Sequence, residues 1–181
     1  EVPSLALGSG EVTLMDLTSA YGAFANAGVL HHPVLVRRVE DATGQVLYAA
    51  EPHAEQAVTP QTAFLMATML ADVINSGTAW KARQLGFRLP AGGKTGTTND
   101  SMDAWFAGWH PSVAAVVWIG YDNPKKLGDR ETGGGLALPV WLDYMAVALK
   151  GVPVAAAKPP EGVIGSGGGW VFEEYARGAG V

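Results

Sequence analysis

A lysine followed by three threonines, in the stretch Lys94-Thr95-Gly96-Thr97-Thr98, is the part of the chain best suited to chemistry. The lysine supplies positive charge, and the threonine hydroxyls can donate hydrogen bonds to a carboxylate. Gly96 leaves room for the backbone of a substrate to approach closely. Because a breaker run precedes the stretch and two apolar segments follow it, we expect an edge strand that receives an anionic, peptide-like substrate. The pattern therefore predicts one wall of an acyl-transfer site.

Two other interpretations of this stretch remain open. Gly93-Lys94-Thr95 resembles the end of the phosphate-binding motif G-x-x-x-x-G-K-[ST], but that motif needs glycine where the chain has Arg88, and it opens a helix. A binding module that captures peptide carboxylates without turnover is the other alternative. The four histidines show no spacing typical of metal ligands, so we predict neither a metal nor a cofactor.

Composition limits the class of protein. The chain has 181 residues, is 48% hydrophobic and 16% charged, and carries a formal net charge of -5, which fits a globular domain with a real core. No basic cluster stands out, so nucleic-acid binding is not expected. The absence of cysteine excludes disulfides and thiol catalysis. The chain begins Glu1-Val2-Pro3, without a basic and apolar leader, and we expect it to be a piece of a longer polypeptide that carries any anchor upstream.

Several helices and strands must position the lysine stretch. Capping residues and apolar spacing predict helices at about 13–27, from Thr59 to Gly77, at 79–85 and at 138–150. In the second helix we expect the buried stripe Met66, Met69, Leu70 and Val73. A hairpin is predicted from the segments 34–39 and 46–48, and a loop over 125–135.

The region around the lysine stretch has the pattern of an antiparallel sheet. Lys94 to Thr98, residues 103–109 and residues 113–121 read as three consecutive strands in a meander, with the last helix across them. We expect one domain portion over 1–154 and a Gly- and Pro-rich tail over 155–181, where Trp170-Val171-Phe172 adds a short strand.

From about residue 4 to 162 the chain resembles the C-terminal part of the transpeptidase domain of bifunctional class A penicillin-binding proteins. The resemblance is carried by an ordered series of motifs: residues 5–8, 20–28, 59–63, 77–79, 93–100, 103–108, 117–124 and 139–141. It implies an α+β fold, with helices packed on an antiparallel sheet as in the serine β-lactamase and penicillin-binding group.

The resemblance also implies an activity and roles for individual residues. Proteins of this family cross-link peptidoglycan by acyl transfer from D-Ala-D-Ala stem peptides through a serine, and β-lactams enter the same route. Lys94 would supply electrostatic pull and assist proton transfer, and the backbone N–H of Thr97 would be one oxyanion-hole donor. Thr95 and Thr97 would bind the terminal carboxylate, with Gly96 and Thr98 completing the substrate strand. The location implied for the parent protein is the periplasmic side of the bacterial inner membrane.

The nucleophile of that family is not in this sequence. Its other two motifs are S-x-x-K and S-x-N, and none of the seven serines here has lysine three positions on or asparagine two positions on. In the family both motifs precede this segment, so we expect the chain alone to be inactive and to bind β-lactams only with the upstream half. The family sheet has five strands, so we also expect the strand at 113–121 to lack its neighbour, and the isolated chain to be poorly soluble or to pair that edge with another chain.

Overall fold

The computed structural model describes residues 3–129, 131–154 and 157–176. Within these ranges, short 3-10 turns and five α-helices alternate with the strands. The helices are α1 (Leu14–Ala25), α2 (Pro60–Asn75), α3 (Lys81–Gln84), α4 (Leu138–Ala148) and α5 (Glu173–Ala176). The two long N-terminal helices begin as predicted, because the Thr13 and Thr59 hydroxyls accept hydrogen bonds from the backbone N–H of Asp16 and Thr62.

Nine strands of the described chain pair into four antiparallel groups. They are β1 (Val29–His31) with β4 (Ala54–Gln56), β2 (Arg38–Glu40) with β3 (Val46–Ala49), the sheet β5 (Gly92–Thr97), β6 (Ala104–His110) and β7 (Val113–Ile119), and β8 (Val163–Ser166) with β9 (Gly169–Phe172). The predicted hairpin is confirmed, although its first strand begins only at Arg38.

The three-stranded sheet is the frame of the molecule and confirms the predicted meander. Its register aligns Thr97 with Ala104 and Ala104 with Ile119, so the strands run side by side over their whole length. β6 is central, while β5 and β7 each have one paired side among the described residues. The expected open edge at β7 is therefore present in this structure.

The two faces of the sheet are covered by different helices. Gly22 of α1 faces Ala114 of β7, whereas Trp141 of α4 packs edge-on against Phe106 of β6, with ring centroids 5.1 Å apart. Successive side chains of a strand point to opposite faces, and Ala115, the residue after Ala114, packs against the core cluster that contains Trp141. The last helix thus lies across the sheet as predicted, with Trp141 at the centre of the core.

One buried histidine closes the far end of this sheet. His110, the last residue of β6, is 1% exposed, and its Nδ1 accepts a hydrogen bond from the backbone N–H of Ser112. Its Nε2 is buried and has no hydrogen-bond partner among the described residues. Burial lowers the pKa of the His110 imidazole, because the charged form is poorly solvated there.

The predicted buried stripe of α2 is wrong in one position. Ala63, Leu70 and Ile74 form its buried face, while Met69 is 56% exposed. Consecutive residues of an α-helix are about 100° apart around its axis, so Met69 lies well off the line through Leu70 and Ile74. Hydrophobicity alone favours methionine, but tertiary packing selects the face on which the smaller Ala63 fits.

One other segment differs from its prediction in detail. Residues 125–135 were expected to form only a loop, but the structure has a π-helical turn, Gly133–Ala137, that leads directly into α4. The Thr132 hydroxyl caps this turn by accepting from the backbone N–H of Gly135, and this capping lets a glycine run adopt helical geometry.

Part of the C-terminal tail is folded onto α2. The strand predicted at Trp170-Val171-Phe172 is confirmed within β9, and the Trp170 ring packs edge-on against Phe64 at 5.3 Å. The Gln61 side chain also donates to the carbonyl of Glu161. The domain boundary at residue 154 stays a prediction. In the described part of the chain, every helix is too short or too polar to span a bilayer.

Candidate functional site

The candidate site is built on β5, an edge strand. Gly92 to Thr97 pair residue by residue with β6, from Gly92 opposite Trp109 to Thr97 opposite Ala104. No strand of the described residues pairs with the other side of β5. An unpaired edge offers backbone N–H and C=O groups to an extended peptide. Because side chains two apart share a face, Thr95 and Thr97 lie on the same side of the sheet.

Lys94 is the charged residue of this strand and is exposed. Its ammonium group donates a hydrogen bond to the carbonyl of Thr95 at 2.8 Å, which holds the side chain along the strand. The ion pairs found among the described residues do not involve Lys94. Its positive charge is therefore not neutralised by a bridging carboxylate and is available to an anionic ligand beside β5.

The hydroxyl of Thr95 has a partner outside the strand. Its Oγ1 lies 2.9 Å from Oγ1 of Thr78, within hydrogen-bond distance, and either hydroxyl can be the donor. Thr78 follows the end of α2, which lies along β5. The helix end thus brings a second hydroxyl to the threonine predicted to bind a carboxylate.

The hydroxyl of Thr97 is held by the turn Gly133–Ala137 that precedes α4, here called the glycine turn. The backbone N–H of Gly133 donates to Thr97 Oγ1 at 3.1 Å. A Cβ atom at Gly133 would lie 2.2 Å from the carbonyl oxygen of Trp105 and 2.5 Å from that of Gly96. Such distances exclude any side chain, so only glycine allows the turn to come this close to β5. Since Thr97 Oγ1 accepts this bond, its own proton is free to be donated.

Gly96 and Thr98 have structural partners as well as their predicted positions beside a substrate. A Cβ at Gly96 would lie 3.1 Å from Cβ of Trp105, which is a tight contact with the neighbouring strand. The Thr98 hydroxyl accepts from the backbone N–H of Asp103 at 2.8 Å and so closes the turn into β6. Asp103 in turn accepts from the indole N–H of Trp118 at 2.8 Å. A substrate contact at Gly96 or Thr98 stays a prediction.

The segment that leads into β5 is fixed by a half-buried arginine. The Arg83 guanidinium donates to the carbonyls of Phe87 and Leu89 at 2.8 and 3.0 Å and, through two further N–H groups, to the side-chain oxygen of Asn75. Burial, with a smaller contribution from the charge of Arg88, lowers the pKa of Arg83. These hydrogen bonds tie the end of α2 to the chain just before β5.

The structure unites the predicted residues and adds two that the sequence did not indicate. Lys94, Thr95, Gly96 and Thr97 share one strand, and this is not the loop-to-helix geometry of a P-loop. Thr78 lies between two predicted helices and Gly133 lies in the predicted loop over 125–135, and no local signal marks them as neighbours of β5. In the described ranges no group of three His, Cys, Asp or Glu residues could hold a metal ion.

Known proteins are similar in sequence to this chain over nearly its whole length. "Penicillin-binding protein 1A" of Neisseria lactamica is 41% identical over 177 residues, which are 95% of this chain and 22% of that protein. The protein of the same name from Pseudomonas aeruginosa is 35% identical over 211 residues, with 89% and 26% covered. The chain thus spans about a quarter of the length of the curated relatives it matches.

Solved structures share the fold described above. Penicillin-Binding Protein 1A from Haemophilus influenzae superposes with a TM-score of 0.83 at 29% identity, over 89% of this chain and 30% of that one. PonA1 from Mycobacterium tuberculosis, solved with penicillin V, gives a TM-score of 0.75 at 29% identity, over 87% and 44%. Residues 2–146 match the family described as "Penicillin binding protein transpeptidase domain". The chain belongs to the penicillin-binding protein transpeptidase family, and it represents a part of the transpeptidase domain of the class A members.

Proposed function

We propose that this chain provides one wall of the active site in a serine-type D-Ala-D-Ala transpeptidase that cross-links peptidoglycan. This wall is formed by the K-T-G motif Lys94-Thr95-Gly96 and by Thr97. One observation carries the proposal: Lys94, Thr95 and Thr97 lie together on an edge strand of the sheet. The Thr97 hydroxyl accepts the N–H of Gly133 and can therefore donate to an anion. An exposed cation and hydroxyl donors beside an open backbone edge suit a peptide that ends in a carboxylate.

Each group of this wall has a defined part in substrate binding. The stem peptide lies extended along β5 and pairs with its free backbone groups. The hydroxyls of Thr95 and Thr97 donate to the terminal carboxylate, and hydrogen bonds to a charged group each contribute about 1.5–3 kcal/mol. Lys94 adds long-range attraction. The backbone N–H of Thr97 stabilises the oxyanion that forms when the scissile carbonyl is attacked.

The covalent chemistry uses a serine that this sequence does not contain, since its seven serines all lack lysine three positions on. In the proposed reaction, that serine oxygen attacks the carbonyl of the penultimate D-Ala, and the C–N bond to the last D-Ala breaks as the leaving amine takes up a proton. An amine of a neighbouring stem peptide then displaces the serine. β-Lactams follow the first of these steps, and the reaction takes place on the periplasmic side of the inner membrane.

Ligand-detected NMR of the purified chain tests the carboxylate-binding part. N-acetyl-D-Ala-D-Ala should bind reversibly, with a Kd on the order of 1 mM or a few kcal/mol of binding free energy, and its C-terminal amide should bind at least ten-fold more weakly. Lys94→Ala and Thr97→Val should each weaken binding of the acid. Lys150→Ala serves as the matched control, because this exposed lysine follows the C-terminal end of α4, a helix roughly 16 Å long that begins at the glycine turn.

A fluorescent penicillin provides the second arm. The chain alone should take up no covalent label, because it has no activated serine. Equal binding of the acid and the amide, or a Lys94→Ala variant that binds like the unaltered chain, would show that β5 is not a carboxylate site. Stoichiometric labelling by the penicillin would overturn the division of the site between this chain and other polypeptide. The alternative of a binding module without turnover predicts the same binding but no acylation even when S-x-x-K and S-x-N sequence precedes the chain.

A further inference from the structure

Thr78 is a hydroxyl residue beside the site that the proposed reaction does not use. It lies three residues after the last residue of α2, Asn75, and the backbone there is firmly held. The N–H of Gly77 donates to the carbonyl of Asp72, and the N–H of Ala79 donates to that of Val73, both at 3.0 Å. Ala79 is fully buried. The backbone position of Thr78 is therefore set by the helix end.

The contact between Thr78 and Thr95 has a preferred direction once an anion is bound. The two oxygens lie 2.9 Å apart, and a single proton bridges them. A carboxylate only accepts hydrogen bonds, so the Thr95 hydroxyl must donate its proton to the hydrogen bond with the ligand. The bridging proton must then come from Thr78. A chain of donors from Thr78 to Thr95 to the carboxylate results, in which each hydrogen bond polarises the next.

The glycine turn packs close to both Thr78 and Thr95. A Cβ atom at Gly134 would lie 3.2 Å from the backbone oxygen of Thr78 and 3.7 Å from Cγ2 of Thr95. The turn therefore packs against both threonines at once. The backbone N–H of the neighbouring Gly133 makes one hydrogen bond to the Thr97 hydroxyl, just as the Thr78 hydroxyl makes one to the Thr95 hydroxyl. Both predicted carboxylate donors are thus oriented by groups from outside β5.

We propose that Thr78 is a positioning residue of the carboxylate site, whose hydroxyl donates to Thr95 and directs the Thr95 proton toward the bound ligand. The proposal rests on the proposed function of β5. It assigns to Thr78 no contact with the substrate. Loss of the hydroxyl leaves Thr95 able to donate but frees its rotamer and removes the polarising bond. We expect about five-fold weaker binding, which corresponds to roughly 1 kcal/mol.

Selective labelling of threonine methyl groups gives two readouts from one sample. The 13Cγ2 shift of Thr95 reports its χ1 rotamer in the free chain, and the titration with N-acetyl-D-Ala-D-Ala gives the Kd. Thr78→Val should average the Thr95 rotamers and weaken binding about five-fold, whereas Thr78→Ser should restore both. Thr43→Val is the matched control, since it removes a threonine hydroxyl from the β2–β3 hairpin, where Thr43 bonds only locally to Asp41.

The outcomes separate this inference from the function on which it rests. A Thr78→Val chain with an unchanged Thr95 rotamer and an unchanged Kd would overturn the positioning role and leave the carboxylate site intact. If Thr78→Ser fails to restore binding, the hydroxyl is not the operative group, and the inference is also wrong. If the unaltered chain shows no preference for the acid over the amide, the carboxylate site itself fails, and the inference fails with it.

Discussion

Replacing Gly133 with alanine tests the geometry of the site most directly. The added Cβ would lie 2.2 Å from the carbonyl oxygen of Trp105 and 2.5 Å from that of Gly96, whereas real Cβ atoms keep at least 3.0 Å from such neighbours. Both obstacles are backbone atoms of paired strands, which cannot rotate away. The turn must therefore move outward by about 0.8 Å, the shortfall to that limit, and the 3.1 Å bond from the Gly133 N–H to Thr97 lengthens beyond hydrogen-bond range.

The cost follows from these two changes. Overpacking of a close contact costs about 1–3 kcal/mol, and loss of one hydrogen bond about 1 kcal/mol. Gly135→Ala is the matched control in the same turn, since its Cβ would lie 3.3 Å from the Thr132 hydroxyl oxygen and 4.0 Å from a carboxylate oxygen of Glu131, both on side chains. Both substitutions restrict the unfolded chain equally, by roughly 0.5–1 kcal/mol, so this term cancels between them. We expect Gly133→Ala to be about 2–4 kcal/mol less stable than Gly135→Ala.

Urea unfolding followed by tryptophan fluorescence measures this difference, and NMR titration with N-acetyl-D-Ala-D-Ala measures its effect on the site. Gly133→Ala should also weaken binding several-fold, because Thr97 loses the partner that orients its hydroxyl. Gly135→Ala should bind like the unaltered chain. Equal stability and equal affinity of the two variants would refute the close approach of the turn to β5.

Two further predictions concern the far end and the open edge of the sheet. Burial lowers the pKa of His110 below its usual 6.5, so near that pH the unfolded chain binds more protons than the folded chain. The free energy of unfolding should therefore be highest above pH 6.5 and should fall as the pH is lowered through that value. The slope is at most about 1.4 kcal/mol per pH unit. Urea unfolding at a series of pH values from 7.5 to 5 measures this dependence. His110→Asn should make the free energy of unfolding less dependent on pH. An equally steep dependence in that variant would show that another group causes it. The unpaired edge of β7 should make the isolated chain self-associate, and sedimentation that finds a stable monomer at high concentration would contradict this.

Local sequence rules account for the secondary structure near the site. Thr13 and Thr59 cap their helices because a side-chain oxygen needs only the next turn to find its N–H partner. The meander of β5, β6 and β7 follows from short connections between apolar segments. The lysine and threonines of β5 are adjacent in sequence, so one strand suffices to bring them together. The ordered motifs also identify the family, because they do not depend on how distant segments pack.

Tertiary structure decided what surrounds that strand. Thr78 and Gly133 are 17 and 36 residues from their partners Thr95 and Thr97, and only packing of α2 and of the glycine turn against β5 brings them into hydrogen-bond range. Met69 illustrates the same limit within a helix, since its exposure depends on which face meets the sheet and not on its own hydrophobicity. Periodicity specifies that a face is buried, and the identity of the neighbouring atoms follows only from the three-dimensional contacts.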